Sequence, residues 1–383
     1  MTGCGRGPSG RAGVRLAGLV CALLTDSGCG SDHVVGSRGL VLQIAHDDAA
    51  AALQVSAMAV ADLDGDGDAD VALLDGTAGR LCLLTHASAG LAPARCVVLP
   101  AADAVTALAT VRLPGVDAAR VVAVGKTVAL LGPLAAGDPV VDVAARYAPP
   151  DGVVGLATTA GAGGQSAQAL WTGAAATGTA TLWPGERTGS GSGPALGAPV
   201  SYPLSGPARA LLSFGGGDAS TALVAATAQG LDVLDSRGHV VQVRCPALAL
   251  GARVVAALDS DEDGTTDILA LDDAGRALWV MAPAALEGWR CAPERATPLP
   301  EEGLTQLFAT DWDGDGDGDL LAFAGAAGAR LWRRGSPTVQ VALPSSAVQA
   351  AVGDLDGDGR PDAVVALADG RLGLLYNALQ PKP

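Results

Sequence analysis

The amino-acid sequence predicts an all-β chain of seven repeated units closed into a ring. Three observations predict it. An Asp-rich motif of nine residues recurs four times, each time between two short runs rich in Val and Leu. The motifs are spaced near a constant period, and the gap between the first and the second holds room for three more units. One isolated strand-like segment precedes the first unit, and the last unit lacks one strand.

The four motifs run over residues 62–70, 259–267, 311–319 and 354–362. Their acidic positions are Asp62, Asp64, Asp66, Asp68 and Asp70; Asp259, Asp261, Glu262, Asp263 and Asp267; Asp311, Asp313, Asp315, Asp317 and Asp319; and Asp354, Asp356, Asp358 and Asp362. Position 7 is Thr265 in the second motif and Arg360 in the fourth. Each motif is followed by a run such as Val71–Leu74 or Ala363–Leu367. Runs of this length and composition read as strands, so the motif joins two antiparallel strands.

Motif starts at 259, 311 and 354 lie 52 and 43 residues apart, and the 197 residues from 62 to 259 correspond to four periods of about 49. Three degenerate units fill that gap. They are Val105–Leu113 with Arg120–Val124, Val153–Thr159 with Gln168–Trp171, and Ala208–Phe214 with Thr221–Ala226. Seven units of this size, with four strands each, mark a seven-bladed β-propeller. An open solenoid or two separate β domains are the alternatives. The last unit has room for three strands, near 347–353, 362–368 and 371–376. The segment Gly39–His46 supplies the missing outer strand, and this closure removes the open edge of a linear array. The propeller is therefore expected over 39–380.

The chain is 49% hydrophobic with only 3% aromatic residues, so Val, Leu and Ala must build its core. Its formal net charge is −16, but 19 of the 40 acidic residues sit in the four motifs, leaving 21 to set against 24 Lys and Arg. The acidity is local and asks for cations. An acidic chain without basic stripes argues against nucleic acid as a partner.

Hard cations such as Ca²⁺ take six to eight oxygen ligands, and Asp at alternate loop positions provides them. Side chains at positions 1, 3, 5 and 9 can converge, with a backbone carbonyl from position 7. Without a cation, four or five carboxylates in nine residues repel one another. An EF-hand is excluded, because it needs an acidic ligand at position 12. That position holds Leu73, Ala270, Ala322 and Val365, all within predicted strands.

These motifs resemble the FG-GAP/VCBS repeat found in the propeller of integrin α-subunits and in many bacterial secreted proteins. The resemblance implies structural calcium, up to four ions. It implies side-chain ligands from positions 1, 3, 5 and 9 of each motif, and backbone carbonyls from Asp68, Thr265, Asp317 and Arg360. Units two to four depart from the pattern and are expected to hold no metal.

The first 29 residues are expected to be a signal peptide. Arg6, Arg11 and Arg15 precede the apolar run Leu16–Leu24, which is too short to span a bilayer. Thr25 to Cys29 resembles a bacterial lipobox, although Asp26 stands where Leu is usual. This implies a lipid anchor on Cys29, a tether over 30–38, and a secreted or cell-surface protein that touches the membrane only through that anchor. A match to a dinucleotide fingerprint at 5–10 lies inside this segment and follows no strand, so it carries nothing. Cys82, Cys96, Cys245 and Cys291 then remain, an even number in an oxidising compartment. Cys82 and Cys96 lie on neighbouring strands and are placed to pair. Cys245 and Cys291 occupy similar places in successive units, which sets them apart.

The expected function is a calcium-stiffened scaffold, monomeric, that binds a protein or a glycan. Trp171, Trp183, Trp279, Trp289, Trp312 and Trp332 are the candidates for stacking on sugars, and Trp312 is expected to be exposed on its loop. The Gly/Ser-rich segment 183–200 reads as a flexible loop. The alternative is a polysaccharide lyase or hydrolase. His33, His46, His86 and His239 are scattered without metal spacing, and no nucleophile or metalloprotease motif occurs. No catalytic residue is therefore assigned.

Overall fold

A computed structural model describes residues 35–37, 40–45, 53–87, 90–91, 95–101, 104–113, 116, 118–131, 143–147, 153–159, 169–174, 177–186, 195–215, 221–234, 240–245, 254–259, 266–271, 277–281, 289–292, 304–315, 318–324, 328–333 and 336–379. The expected signal segment and lipobox, Cys29 included, lie outside these residues, as do Asp261, Asp263, Thr265 and Asp317.

Among the described residues, and apart from two short two-stranded ribbons, short runs of Val, Leu and Ala, punctuated by Gly and Asp, fold into seven antiparallel sheets. Six of them have four strands laid down in chain order. Blade 1 consists of Val55–Ala61, Asp70–Asp75, Arg80–Leu84 and Arg95–Val98. Blade 2 begins with Ala107–Val111 and Arg120–Val124, blade 3 with Val153–Thr159 and Ala169–Ala174, and blade 4 with Ala208–Gly215 and Thr221–Thr227. These three are the units whose aspartates are lost, and they fold as the others do. Blade 5 begins with Val254–Leu258 and Asp267–Leu271, and blade 6 with Leu304–Thr310 and Asp319–Ala324. The first strand is bulged near its start in blades 1, 3, 4, 6 and 7. A bulge recurring at one place in intact and degenerate units alike marks them as copies of one backbone plan.

Blade 7 closes the ring. Its own strands are Ala347–Gly353, Asp362–Leu367 and Leu372–Asn377. The N-terminal strand Leu40–Ala45 pairs antiparallel with Leu372–Asn377, in register from Leu40 opposite Asn377 to Ala45 opposite Leu372. The expected tether needs correction here. Val35–Ser37 forms a fifth strand, paired with Leu40–Leu42, so the fold begins before residue 39.

The second strand of each blade is sandwiched between neighbours and buried on both faces, as in Asp70–Asp75, Asp319–Ala324 and Asp362–Leu367. Alternate residues of one strand therefore feed two different interfaces. Val71 and Leu73 pack toward blade 7, and Ala72 and Leu74 toward blade 2. Seven apolar clusters result, one at each blade–blade interface, including the seam between blades 7 and 1.

Two disulfides tie outer strands. Cys82 and Cys96 sit directly opposite each other on the outer two strands of blade 1, with Cα atoms 4.0 Å apart. Cys245 and Cys291 also pair, at 5.7 Å, contrary to the expected separation. Cys245 lies beyond the end of its strand Val240–Val243, so the chain has already turned toward blade 5 when it meets Cys291 in Arg290–Ala292. The Gly/Ser-rich segment connects the third strand of blade 3, Thr179–Trp183, to the fourth, Val200–Pro203, and its residues 187–194 lie outside the described residues. Gly185–Glu186 pairs with Ala195–Leu196, and Leu196 is buried, its N–H donating to the Tyr147 hydroxyl at 2.9 Å.

Candidate metal centre

The Asp motifs join the first and second strands of blades 1, 5, 6 and 7. Three sequence features shape each loop. Position 4 is Gly65, Gly314 or Gly357, with φ of +89°, +72° and +72°, a conformation that favours glycine and lets the chain curl back on itself. Position 2 is apolar and buried: Leu63, Trp312 and Leu355. Position 9 is a buried Asp at the start of the second strand: Asp70, Asp319 and Asp362. Its carboxylate accepts the N–H of position 2, from Leu63 at 2.8 Å, Trp312 at 3.0 Å and Leu355 at 2.9 Å. The loop is thereby clasped at both ends before any cation is considered.

Within that clasp the remaining carboxylates converge. Carboxylate oxygens of Asp62, Asp64 and Asp66 lie within 4.8 Å of one another, as do those of Asp311, Asp313 and Asp315, and those of Asp354, Asp356 and Asp362. Calcium takes oxygens at about 2.3–2.6 Å, so ligands on one ion lie no more than about 5 Å apart. All three groups meet that limit. Asp313 adds a sharper sign: it is 3% exposed, Arg333 donates to its Oδ2 at 3.2 Å, and its Oδ1 is buried with no partner among the described residues. A buried carboxylate oxygen left so is costly unless a cation or donor meets it. The donor set, the spacing and the orphaned oxygen fit a hard divalent cation.

The structure distributes the predicted ligands unevenly. Position 5 joins the cluster in blades 1 and 6, but in blade 7 Asp358 turns outward to pair with Arg360, whose Nε donates to it at 2.8 Å. Position 9 joins the cluster in blade 7. In blades 1 and 7 it is also engaged by amides, with Asp70 Oδ1 accepting the His86 N–H at 2.8 Å and Asp362 Oδ1 accepting the Asn377 N–H at 2.7 Å. Asp68 also uses its side chain, which meets His86 Nδ1 at 3.2 Å. In blade 5, Asp259 and the fully buried Asp267 are in place, with Asp267 opposite Leu258. Sequence reasoning missed His86 and Arg333. Both lie within two residues of the end of the third strand of their blade, a position the motif does not reach.

The loops are also tied to one another. Ala69, at position 8 of blade 1, donates its N–H to the Asp354 carbonyl of blade 7 at 3.0 Å. Ala119 of blade 2 donates to the Asp62 carbonyl at 2.8 Å. Asp68 presses against Gly357, where any side chain would collide with its carboxylate.

Crowding and burial raise several of these pKa values. Asp70, Asp319 and Asp362 are pushed up to about 6, chiefly by burial. Asp64 and Asp356 also rise, burial leading and neighbouring carboxylates adding to it. Asp358 is held below its ordinary value, first of all by Arg360. A carboxyl whose folded pKa lies above its unfolded value binds more protons when folded. Its penalty is absent at low pH and grows as pH rises from the unfolded value of 3.8 toward about 6. Metal-free protein is therefore expected to gain stability, about 1 kcal/mol for each of Asp70, Asp319 and Asp362, between about pH 7 and about pH 5. Calcium should remove or invert that trend, because protons then compete with the ion. Thermal unfolding in chelator and in calcium across this range checks both.

Residues 311–365 match the FG-GAP-like repeat family, covering the motif loop of blade 6 and running to that of blade 7. No curated protein matches the chain in sequence. Among solved structures, the chain resembles BBS1N in complex with ARL6DN, with TM-score 0.64 and 11% identity over 91% of this chain and 100% of that one. It also resembles virginiamycin B lyase from Staphylococcus aureus (TM-score 0.54, 13% identity, 88% and 99% covered) and Sqt1 from Saccharomyces cerevisiae (0.53, 12%, 84% and 95%). At such identities the likeness shows the fold alone. The chain is a seven-bladed β-propeller that carries an FG-GAP-like repeat.

Proposed function

We propose that this chain is a calcium-binding, extracytoplasmic propeller that acts as a non-catalytic scaffold and binds another macromolecule through its loops. The observation that carries the calcium reading is the set of three converging carboxylate groups, one of which includes Asp313 with its orphaned oxygen. In blades 1, 6 and 7 the ligands come from positions 1, 3 and 5 or 9, and the same role falls to Asp259, Asp261, Asp263 and Asp267 in blade 5. Blades 5, 6, 7 and 1 are contiguous around the ring, so metal would stiffen one arc that includes the seam.

Two disulfides support an oxidising compartment, and with it the signal peptide and the anchor on Cys29. Of the partner classes, the packing favours protein over glycan. None of the six tryptophans is exposed: Trp171, Trp183, Trp279 and Trp312 are buried, and Trp289 and Trp332 are half-buried. A propeller fold by itself assigns no activity, and the protein is taken to work as a monomer.

Metal that binds only the folded state stabilises it. EDTA is therefore expected to lower the melting temperature of the purified protein. In calcium, Asp313→Asn should melt below the parent. In EDTA the gap between variant and parent should shrink, because no bound ion is then left for the variant to lose. A protein indifferent to EDTA and calcium would not be a calcium scaffold.

A further inference from the structure

The Asp loops of blades 7 and 1 meet through a contact whose form recurs in the ring. The residue just before a blade's second strand donates its N–H to the first residue of the preceding blade's loop: Ala69 to the Asp354 carbonyl at 3.0 Å, and Ala119 of blade 2 to the Asp62 carbonyl at 2.8 Å. One residue earlier, the chain lies against the position-4 glycine of the preceding blade. A Cβ added at Gly65 would meet that of Ala118 at 3.6 Å, and one at Gly357 would collide with the Asp68 carboxylate. Across the seam both sides of this contact are Asp motifs. They also pack on apolar atoms there. A side chain at Gly353, directly before the blade 7 motif, would collide with Val60, and Leu355 shares one cluster with Ala69 and Val71.

Blades 6 and 7 lack the same contact among the described residues. Position 8 of blade 7 is Pro361, which has no N–H to donate. Position 7 is Arg360, whose side chain turns to Asp358 and to the Leu379 carbonyl. A Cβ added at Gly314, position 4 of blade 6, would meet nothing within 4 Å.

Resting on the calcium reading above, we propose that blades 7 and 1 bind calcium as a coupled pair, in which an ion in one loop strengthens binding in the other, while blades 6 and 7 are uncoupled. An ion held by Asp62, Asp64 and Asp66 fixes the loop that presents Asp68 and Ala69. Ala69 holds the carbonyl of Asp354, whose carboxylate belongs to the blade 7 group. The entropy of ordering the shared segment is then lost once for two ions, which is the condition for positive cooperativity. Repulsion between the ions acts the other way, but solvent and salt screen it, because Gly65–Gly67 and Asp356–Gly359 are exposed. The pair straddles the seam, so calcium locks the closed ring in one step.

The test is calorimetric titration of the metal-stripped full chain with calcium at about 0.15 M salt. Asp64→Asn should lose one equivalent and leave one other binding about fivefold more weakly than in the parent, the low end of the usual coupling range. Asp356→Asn should do the same, because coupling is reciprocal. In the double variant two equivalents are lost and the rest should bind as in the parent, which identifies each weakened site as the other's partner. Charge alone predicts the reverse. Losing the ion takes two positive charges from the blade 1 loop and Asp64→Asn removes only one negative charge, so a more negative loop would tighten blade 7. Ala69→Pro, which copies Pro361, should keep the parent's equivalents, and on that background Asp64→Asn should lose its own equivalent and weaken no other. Asp68→Ala, which trims only the side chain against Gly357, should lessen the coupling without a proline. Remaining sites that bind Asp64→Asn as tightly as the parent, or more tightly, would overturn the coupling and leave the calcium reading standing. A parent that takes up no calcium would overturn both.

Discussion

Trp312→Ala is expected to destabilise the fold by about 3–5 kcal/mol, the range for emptying a large aromatic site in a core. Trp312 is position 2 of the blade 6 loop and is 0% exposed. It was expected to stand out on the loop, but it drops into the interface between blades 6 and 7. There it packs in one cluster with Phe323 and Leu331 of blade 6 and with Leu40, Leu42 and Ile44 of the N-terminal strand. Its carbonyl accepts from Asn377 Nδ2 at 2.6 Å, and its N–H is the one clasped by Asp319. A single residue thus links a metal loop to the strand that closes the ring. Its indole Nε1 has no partner among the described residues. Trp312→Phe, which keeps most of the volume and discards that donor, should therefore cost less than about 1.5 kcal/mol. Chemical denaturation of the three proteins in calcium reads both values.

The second large effect lies at the seam. Leu40, Leu42 and Ile44 face the core with a period of two, while Val41 and Gln43 between them are half-buried. Leu42 is 1% exposed, pairs with Leu375, and would touch any side chain placed at Gly373. Leu42→Asp loses that burial and forces a carboxylate into an apolar interface, a cost on the order of 5 kcal/mol. The strand should detach and the ring open at the seam between blades 7 and 1. Size-exclusion chromatography should then show an expanded or associating species, because the freed edge of Leu372–Asn377 seeks a new partner. Limited proteolysis should cut near the N-terminus first. Gln43→Asp, on the half-buried face, should leave both readouts unchanged.

Much of this architecture was legible because it follows from local chemistry. Short Val/Leu runs flanked by Gly and Asp mark strands, and a constant period turns strands into blades. Even the three degenerate units and the borrowed closing strand could be placed, since burial on both faces keeps the apolar runs where the aspartates are gone. What stayed hidden depends on neighbours in space. Position 2 of the loop was the one missed signal that the sequence did carry. Leu63, Trp312 and Leu355 are apolar in a run otherwise dominated by Asp and Gly, and all three are buried. The buried clasp at position 9 could not be separated from a ligand by spacing, because an Asp that accepts amides and an Asp that waits for metal look alike. The Asp358–Arg360 pair, the Arg333 contact with Asp313 and the Cys245–Cys291 bridge join side chains whose approach is set by blade packing and loop direction. The tether was cut too late because Val35–Ser37 is too short to read as a strand until its partner is known.

The most direct test of the calcium reading is calorimetric titration of metal-stripped protein with calcium. More than one and up to four equivalents should bind, and Asp313→Asn should lose one of them while the rest remain. Absence of calcium uptake, or uptake that is the same in Asp313→Asn and in variants of Asp64 and Asp356, would contradict it.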